Sequence, residues 1–333
     1  MRITKPVYYD RFRCIAGACP DSCCKEWDVL VDTESADRYR SLPGSLGDRL
    51  RQVLREESGK VYMAIEDRRC PMWRHDGLCR IQAELGEEAL CKTCREFPRL
   101  RHDYGDFAEL QLELSCPVAA RLILEAPPAA PVAKIVPGGD LPEYDPLDMA
   151  ILMATREQML AILSDTSRPI PEALALGLMY GYHAQGALNS GELSPFDPET
   201  ALEEARGFAK PGDAAAMVEF FLGLELLTPE WEEMLRAPGP GGWSAEYLPL
   251  ARYFTERYWL QAISDFDLAG RVKFMVISCL LTHHLSGDIF RTAQLYSKEI
   301  ENDLSNVDAI LDAAYTHPAF TDDKLLGMLL LEE

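Results

Sequence analysis

Two kinds of hydrophobic patterning divide the chain. From Leu147 onward, apolar residues recur at three- and four-residue steps, as at Leu147, Ile151, Leu152, Met159, Leu160 and Leu163, which gathers them on one helical face. Asp197-Pro198 ahead of Thr200-Ala201-Leu202-Glu203, and Thr228-Pro229-Glu230 ahead of Trp231, each place a capping oxygen before a proline suited to the first helical position. Helices are therefore expected to start at both places, and further helices are predicted over 213–227, 246–264, 268–286 and 288–313. Strand-like alternation is scarce; Phe107 to Leu114 alternates from Leu110 onward and predicts a strand. Residues 125–146 contain Pro127, Pro128, Pro131, Pro137, Pro142 and Pro146 with Gly138-Gly139, a composition poor in helix and ladder formers that reads as a linker or wrapping loop.

The expected fold is mainly α. An irregular Cys-rich metal-binding region over 1–124, with short helices and a small strand pair, precedes a Pro/Gly-rich linker over 125–146 and an acidic α-helical domain over 147–333. With 333 residues, 47% apolar and 26% charged, the chain has ordinary globular composition. No run approaches the roughly 18–20 apolar residues a bilayer span needs, the densest being Phe274 to Leu281 and Leu325 to Leu331, so no membrane role is expected. Residues 1–13 mix Arg2, Lys5, Asp10, Arg11 and Arg13 with no apolar signal core, so a cytoplasmic address is expected.

Charge and cysteine sharpen the division. Of the net −21, residues 1–124 carry 20 basic and 21 acidic side chains, whereas the remainder carries 13 basic and 33 acidic. An acidic surface repels phosphate backbones, which excludes general nucleic-acid binding by the later region and suits a lysine-presenting partner. Nine of the ten cysteines fall between Cys14 and Cys116, and the tenth, Cys279, sits in the apolar run Phe274 to Leu281 as a core residue. The nine read Cys14-x4-Cys19-x3-Cys23-Cys24, Cys70-x8-Cys79, Cys91-x2-Cys94 and Ser115-Cys116-Pro117. In a reducing compartment such density points to metal rather than disulfides, because zinc and iron–sulfur clusters both take four soft thiolates. Nine thiols can fill two such sites, or one with reserves, and spacing does not separate the two metals. Arg68-Arg69, Arg80 and the run Cys94 to His102 add positive charge beside the thiols, and His75 and His102 are alternative ligands.

Cys19-Pro-Asp-Ser-Cys-Cys-Lys-Glu-Trp27, Asp76-Gly-Leu-Cys-Arg-Ile-Gln82, Leu90-Cys-Lys-Thr-Cys-Arg-Glu-Phe-Pro-Arg99 and Leu114-Ser-Cys-Pro-Val-Ala-Ala-Arg121 together resemble the flagellin lysine N-methylase family, which contains a zinc- or iron-chelating CxxCxxCC module. The resemblance extends to Tyr253-Phe-Thr-Glu-Arg-Tyr-Trp259 and Tyr296-Ser-Lys-Glu-Ile-Glu-Asn302. The spacing here, C-x4-C-x3-CC, departs from the module's C-x2-C-x2-CC at Cys14. The resemblance implies methyl transfer from S-adenosylmethionine to lysine side chains of flagellin, with an iron–sulfur cluster, of 4Fe-4S type, or zinc. The metal set is Cys19, Cys23, Cys24, Cys70, Cys79, Cys91 and Cys94, with Cys14 and Cys116 behind them.

No Gly-rich turn follows a strand in a βαβ unit, and Gly239-Pro-Gly-Gly242 lies between predicted helices, so a Rossmann-type donor site is not visible. The C-x3-C-x2-C spacing and alternating strands of a radical S-adenosylmethionine barrel are absent as well. Lysine with a pKa of about 10.4 must lose a proton before it can attack, which calls for an acceptor near an aromatic wall. Tyr253, Tyr258, Glu299 and Glu301 offer that chemistry as catalytic candidates, with Glu256, Trp259 and Tyr296 beside them. The rival expectations are a non-enzymatic metal-binding scaffold and an electron carrier.

Overall fold

The computed structural model describes every residue except Pro240, Ser286, Glu332 and Glu333. The middle of the Gly239–Gly242 run, the expected end of the helix over 268–286 and the last two residues of the expected acidic domain therefore lie outside the described residues.

Among the described residues strands are confined to the first 135 positions and form two sheets, in place of the small strand pair expected. One is four-stranded, joining β1 (Arg2–Lys5), β5 (Arg99–Asp103), β6 (Phe107–Leu112) and β7 (Val132–Ile135) in the order β5-β6-β1-β7. β1 runs parallel to β6, pairing Ile3 with Ala108, and antiparallel to β7, pairing Ile3 with Lys134. The other sheet joins β2 (Val29–Val31), β3 (Leu54–Glu57) and β4 (Lys60–Met63) antiparallel in the order β2-β4-β3. The proline-rich stretch thus contributes an edge strand, β7, all four residues of which are exposed. The β5–β6 turn depends on Gly105, whose φ is +92° and whose missing Cβ would meet Leu141 O at 2.9 Å.

Helices account for most of the rest. α1 (Thr33–Ser41), α2 (Gly44–Val53), α3 (Arg80–Leu85), α4 (Lys92–Glu96) and α5 (Pro117–Leu124) lie among the strands. α6 (Pro146–Ile162), α7 (Ile170–Ser190), α8 (Pro198–Phe208), α9 (Ala214–Leu222), α10 (Pro229–Arg236), α11 (Tyr247–Tyr258), α12 (Leu268–Leu285), α13 (Ile289–Tyr296), α14 (Leu304–Thr316) and α15 (Asp322–Leu330) follow. The expected caps are present: Asp197 accepts from Glu199 N and Thr228 from Trp231 N. The helix expected over 288–313 is instead broken. α13 runs into a π-helical turn at Ser297–Glu301, and α14 restarts with Asp303 as its cap.

The apolar core has two parts. A small cluster within residues 29–91 packs Val29, Val31, Tyr39, Leu50, Met63 and Met72 with Cys70 and Cys91. The large one centres on α7 and α12, which lie against each other and are buried on nearly every side. Their approach is close enough that a Cβ on Gly181 would lie 2.7 Å from Val272 Cγ1. Among the described residues no helix is long and apolar enough to cross a membrane.

Candidate metal centre

The small core sets out the thiols. Cys70 N donates to Cys24 O at 2.8 Å, and Cys79 pairs across a bridge with Trp73, so the three sulfur-bearing segments are laced by backbone bonds. Cys79, Cys91 and Cys116 are the residues that open α3, α4 and α5, with Ala83, Arg95 and Ala120 donating to their carbonyls. Backbone N–H groups of the first turn face these sulfurs and favour the thiolate.

The thiols fall into two interacting groups that meet at Cys23-Cys24. Beyond burial and direct thiol–thiol hydrogen bonds, Cys24, Cys79 and Cys91 raise Cys70 electrostatically and Cys24 and Cys91 raise Cys79 and Cys94, while in the other group Cys14 raises Cys19, Cys14 and Cys116 raise Cys23, and Cys19 and Cys14 raise Cys116. Within two adjacent pairs one thiol ionises readily. Interaction with the Cys94 thiol lowers Cys91 to about 7, and Cys23 likewise lowers Cys24 to about 7, while Cys94 and Cys23 are held protonated by those same partners. Burial pushes Cys70 up to about 12 and Cys116 up to about 11. Among the described residues no three His, Cys, Asp or Glu side chains converge closely enough to hold a metal ion. The donor set nonetheless has the chemistry of a thiolate centre, since each group contains a thiol poised to ionise or facing a helix start. Cys279 belongs to neither group and lies fully buried in the large core.

The basic residues beside the thiols are engaged locally. Arg68 pairs with Glu26 and donates to Leu227 O at 2.8 Å, Arg80 pairs with Glu84 at 2.7 Å, and Lys25 and Arg69 lie over the Trp73 ring at 5.2 and 4.9 Å. His75 is exposed. His102, on β5, interacts with Arg257, Glu109 and Arg156 rather than with any thiol, and its Nε2 is buried without a partner. Burial first, then Arg257, holds His102 below its ordinary 6.5, and burial does the same to His283 and His284. These groups stay neutral in the folded chain while the unfolded chain protonates them, so stability falls as pH drops below about 6.5. A His102→Gln variant is expected to show a shallower fall in melting temperature between pH 7 and pH 5, measured by thermal denaturation; an unchanged slope would refute it.

The π-helical turn ties the cysteine segment to the helices. Asp21, between Cys19 and Cys23, is 8% exposed and accepts from Lys298 Nζ at 2.9 Å, Arg291 Nη1 at 3.0 Å and Gln294 Nε2 at 3.1 Å. Lys298 also lies 5.1 Å from the Trp27 ring. The same turn presents Glu299, which accepts from Leu227 N at 2.6 Å and from Thr228, and Glu301, which accepts from Tyr253 at 3.0 Å, Tyr258 at 2.8 Å and Arg257 at 3.2 Å. Of the sequence candidates, Tyr253, Tyr258 and Glu301 are thus brought together around Arg257, and Glu299 stands apart, facing the start of α10. Tyr296 bonds Ser278 instead, at 2.6 Å. Arg257 and Asp21, which no spacing signal marks, are the residues on which these contacts converge.

Searched against known proteins, the chain is 31% identical over 134 residues to the flagellar biosynthetic protein FliU of Salmonella muenchen, a match covering 38% of this chain and 79% of that protein. The chain belongs to the flagellin lysine-N-methylase family. It is likewise 32% and 31% identical to the lysine-N-methylases of Salmonella typhimurium and Salmonella choleraesuis, but these matches span only about a third (33%) of each enzyme's length. No family model matches the chain. No solved structure matches it either.

Proposed function

We propose that the chain is a protein-lysine N-methyltransferase that draws its methyl group from S-adenosylmethionine, its nine clustered cysteines holding an iron–sulfur cluster, of 4Fe-4S type, or zinc. The observation that carries this reading is the relationship to two proteins named lysine-N-methylase and to a flagellar biosynthetic protein, combined with nine thiols in two interacting groups. Cys24, Cys70, Cys79, Cys91 and Cys94 would hold the metal, with Cys14, Cys19, Cys23 and Cys116 as a second set. Bound there, the metal supplies a fixed electron-poor centre that braces the fold. The strongly acidic later region suits a partner presenting lysines, flagellin being the first to test, and disfavours nucleic acid. The cytoplasm is the compartment in which such thiols stay reduced.

Of the four catalytic candidates, Tyr253, Tyr258 and Glu301 are saturated by one another and by Arg257, and Glu299 by Thr228 and Leu227. We assign them to positioning the helices around the site rather than to proton transfer. That saturation also favours the second reading, a metal-braced scaffold without activity. The two are separated by incubating the metal-loaded protein with flagellin and labelled S-adenosylmethionine. Methyl-lysine in the flagellin digest, seen by mass spectrometry, is the expected result; unmodified flagellin would overturn the first reading.

A further inference from the structure

A chain of buried polar groups runs from two of the cysteine segments to the wall of a cavity. The cavity, of about 600 Å³, opens between β1, β6, the proline-rich segment that follows α5, α6 and α11. α11 supplies Arg252, Tyr253 and Glu256 to its lining, with Glu256 set electrostatically against Arg156 and Arg252. At the other end of the polar chain stand Asp21, in the loop between Cys19 and Cys23, and Ser115, next to Cys116.

Gln294, on α13, joins the two cysteine segments, donating to Ser115 O at 2.7 Å and to Asp21 at 3.1 Å. Lys298, in the π-helical turn that follows α13, donates to the same Asp21 carboxylate at 2.9 Å. Three residues further along that turn, Glu301 accepts from Tyr253 at 3.0 Å and pairs with Arg257 at 3.2 Å. Ser115 Oγ closes the circuit by donating to Glu113 at 2.9 Å, and Glu113 in turn faces Arg257 and Glu301. Each side chain of the circuit is less than a tenth exposed, so a member that loses its partner finds no water to replace it. A turn bonded i→i+5 is rare and stands one residue away from ordinary i→i+4 bonding. This one is anchored at both ends, by Asp21 on Lys298 and by Tyr253 and Arg257 on Glu301. Ser297, which opens it, is fully buried with its Oγ unpartnered, which marks a conformation maintained by the anchors rather than by the turn itself.

We infer that the π-helical turn is a coupling element between the thiols and the cavity. Metal held by Cys19 and Cys23 fixes the loop between them and Asp21 with it; Asp21 holds Lys298 and the turn; Glu301, at the far end of the turn, holds the Tyr253 wall of the cavity. When the loop is released, Asp21 leaves Lys298, the turn relaxes toward i→i+4 bonding, and Glu301 is carried off Tyr253 and Arg257. The cavity wall is then ordered only in the metal-loaded chain, and by linkage any occupant of the cavity and the metal strengthen each other's binding. The inference rests on the proposed metal site and is independent of which ligand the cavity takes.

The test is hydrogen–deuterium exchange of the full chain, metal-loaded and metal-stripped, for wild type and Lys298→Met, read by mass spectrometry with metal content measured alongside. The reporting peptides cover α11, and α8, which packs on α7 and α15, is the reference. In wild type, stripping the metal is expected to speed exchange at α11 at least about tenfold and to leave α8 unchanged, the mark of a local rather than a global opening. Lys298→Met is expected to take up metal but to show the same α11 exchange with and without it, because the link to Asp21 is cut. The wild-type comparison decides by itself should the variant be too unstable to load. Unchanged α11 exchange in a wild type that takes up and loses metal would overturn the coupling alone, as would an equal rise at α8 or a full α11 response in Lys298→Met. A wild type that takes up no metal would overturn the metal reading and the coupling with it.

Discussion

Replacing Cys91 and Cys94 together by serine is expected to strip the metal from the cysteine-rich segment and to unfold that segment while the helices beyond it persist. The small core within residues 29–91 has few large members, and two of its buried side chains are Cys70 and Cys91 themselves. The chain around it is held by short pieces, among them the six-residue α3 and five-residue α4. Apolar burial on this scale rarely supplies more than about 3–5 kcal/mol, whereas a structural zinc can contribute about 10–16 kcal/mol of binding energy that becomes folding energy. Serine keeps the volume but not the soft anionic ligand. Metal analysis should fall from stoichiometric to none, protease sites within 14–97 should open, and far-UV circular dichroism should retain most of its helical signal. A double variant that keeps its metal and its protease resistance would show that this pair is not part of the centre.

What the chain announced in advance follows from whether a local signal existed. The caps at Asp197 and Thr228 are local chemistry and could be read directly. α7 could not, because Leu174, Leu176, Leu178, Tyr180 and Leu188 are buried over a broad arc, and the narrow exposed face at Tyr182, Gly186 and Asn189 carries too few polar residues to set a period. β7 could not either: its residues are all exposed, and what makes Val132–Ile135 a strand is pairing with β1 from the opposite end of the region. The widened turn at Ser297–Glu301 is similar. Its side chains are all buried, and three of them are bound to Asp21, Thr228 and Tyr253, residues distant in sequence that no periodicity reveals. At the candidate centre the nine thiols were legible from density and spacing, but their division into two groups meeting at Cys23-Cys24 required the fold. Glu256 was visible only as one carboxylate on a helix; its place near Arg156 and Arg252 beside a cavity is a property of tertiary packing.

The second large effect is expected at Asp21, and it is asymmetric. Lys298 is 2% exposed and Asp21 8%, so both charges lie away from water, and three donors hold the carboxylate. Burial alone would raise Asp21, but Lys298, Gln294 and Arg291 keep it below the ordinary carboxyl range. Asp21→Asn removes the charge and leaves the Lys298 ammonium buried without its paired carboxylate, against the Trp27 ring and the more distant Glu299. Breaking a buried pair in this direction costs about 3–5 kcal/mol, because the remaining charge is uncompensated. Lys298→Met is milder, since Asp21 retains Arg291 and Gln294 and the methionine fills the vacated apolar space. The double variant Asp21→Asn/Lys298→Met should therefore recover part of the loss, giving a coupling energy of one sign in a double-mutant cycle. Chemical denaturation of the four proteins measures it. Because Asp21 lies between Cys19 and Cys23, the single Asp21→Asn protein should also bind metal more weakly, by freeing the loop that presents those thiols. Equal destabilisation by the two single variants with no recovery in the double would mean that the bridge contributes nothing specific, and that the loop is held to α13 by Arg291 and packing alone.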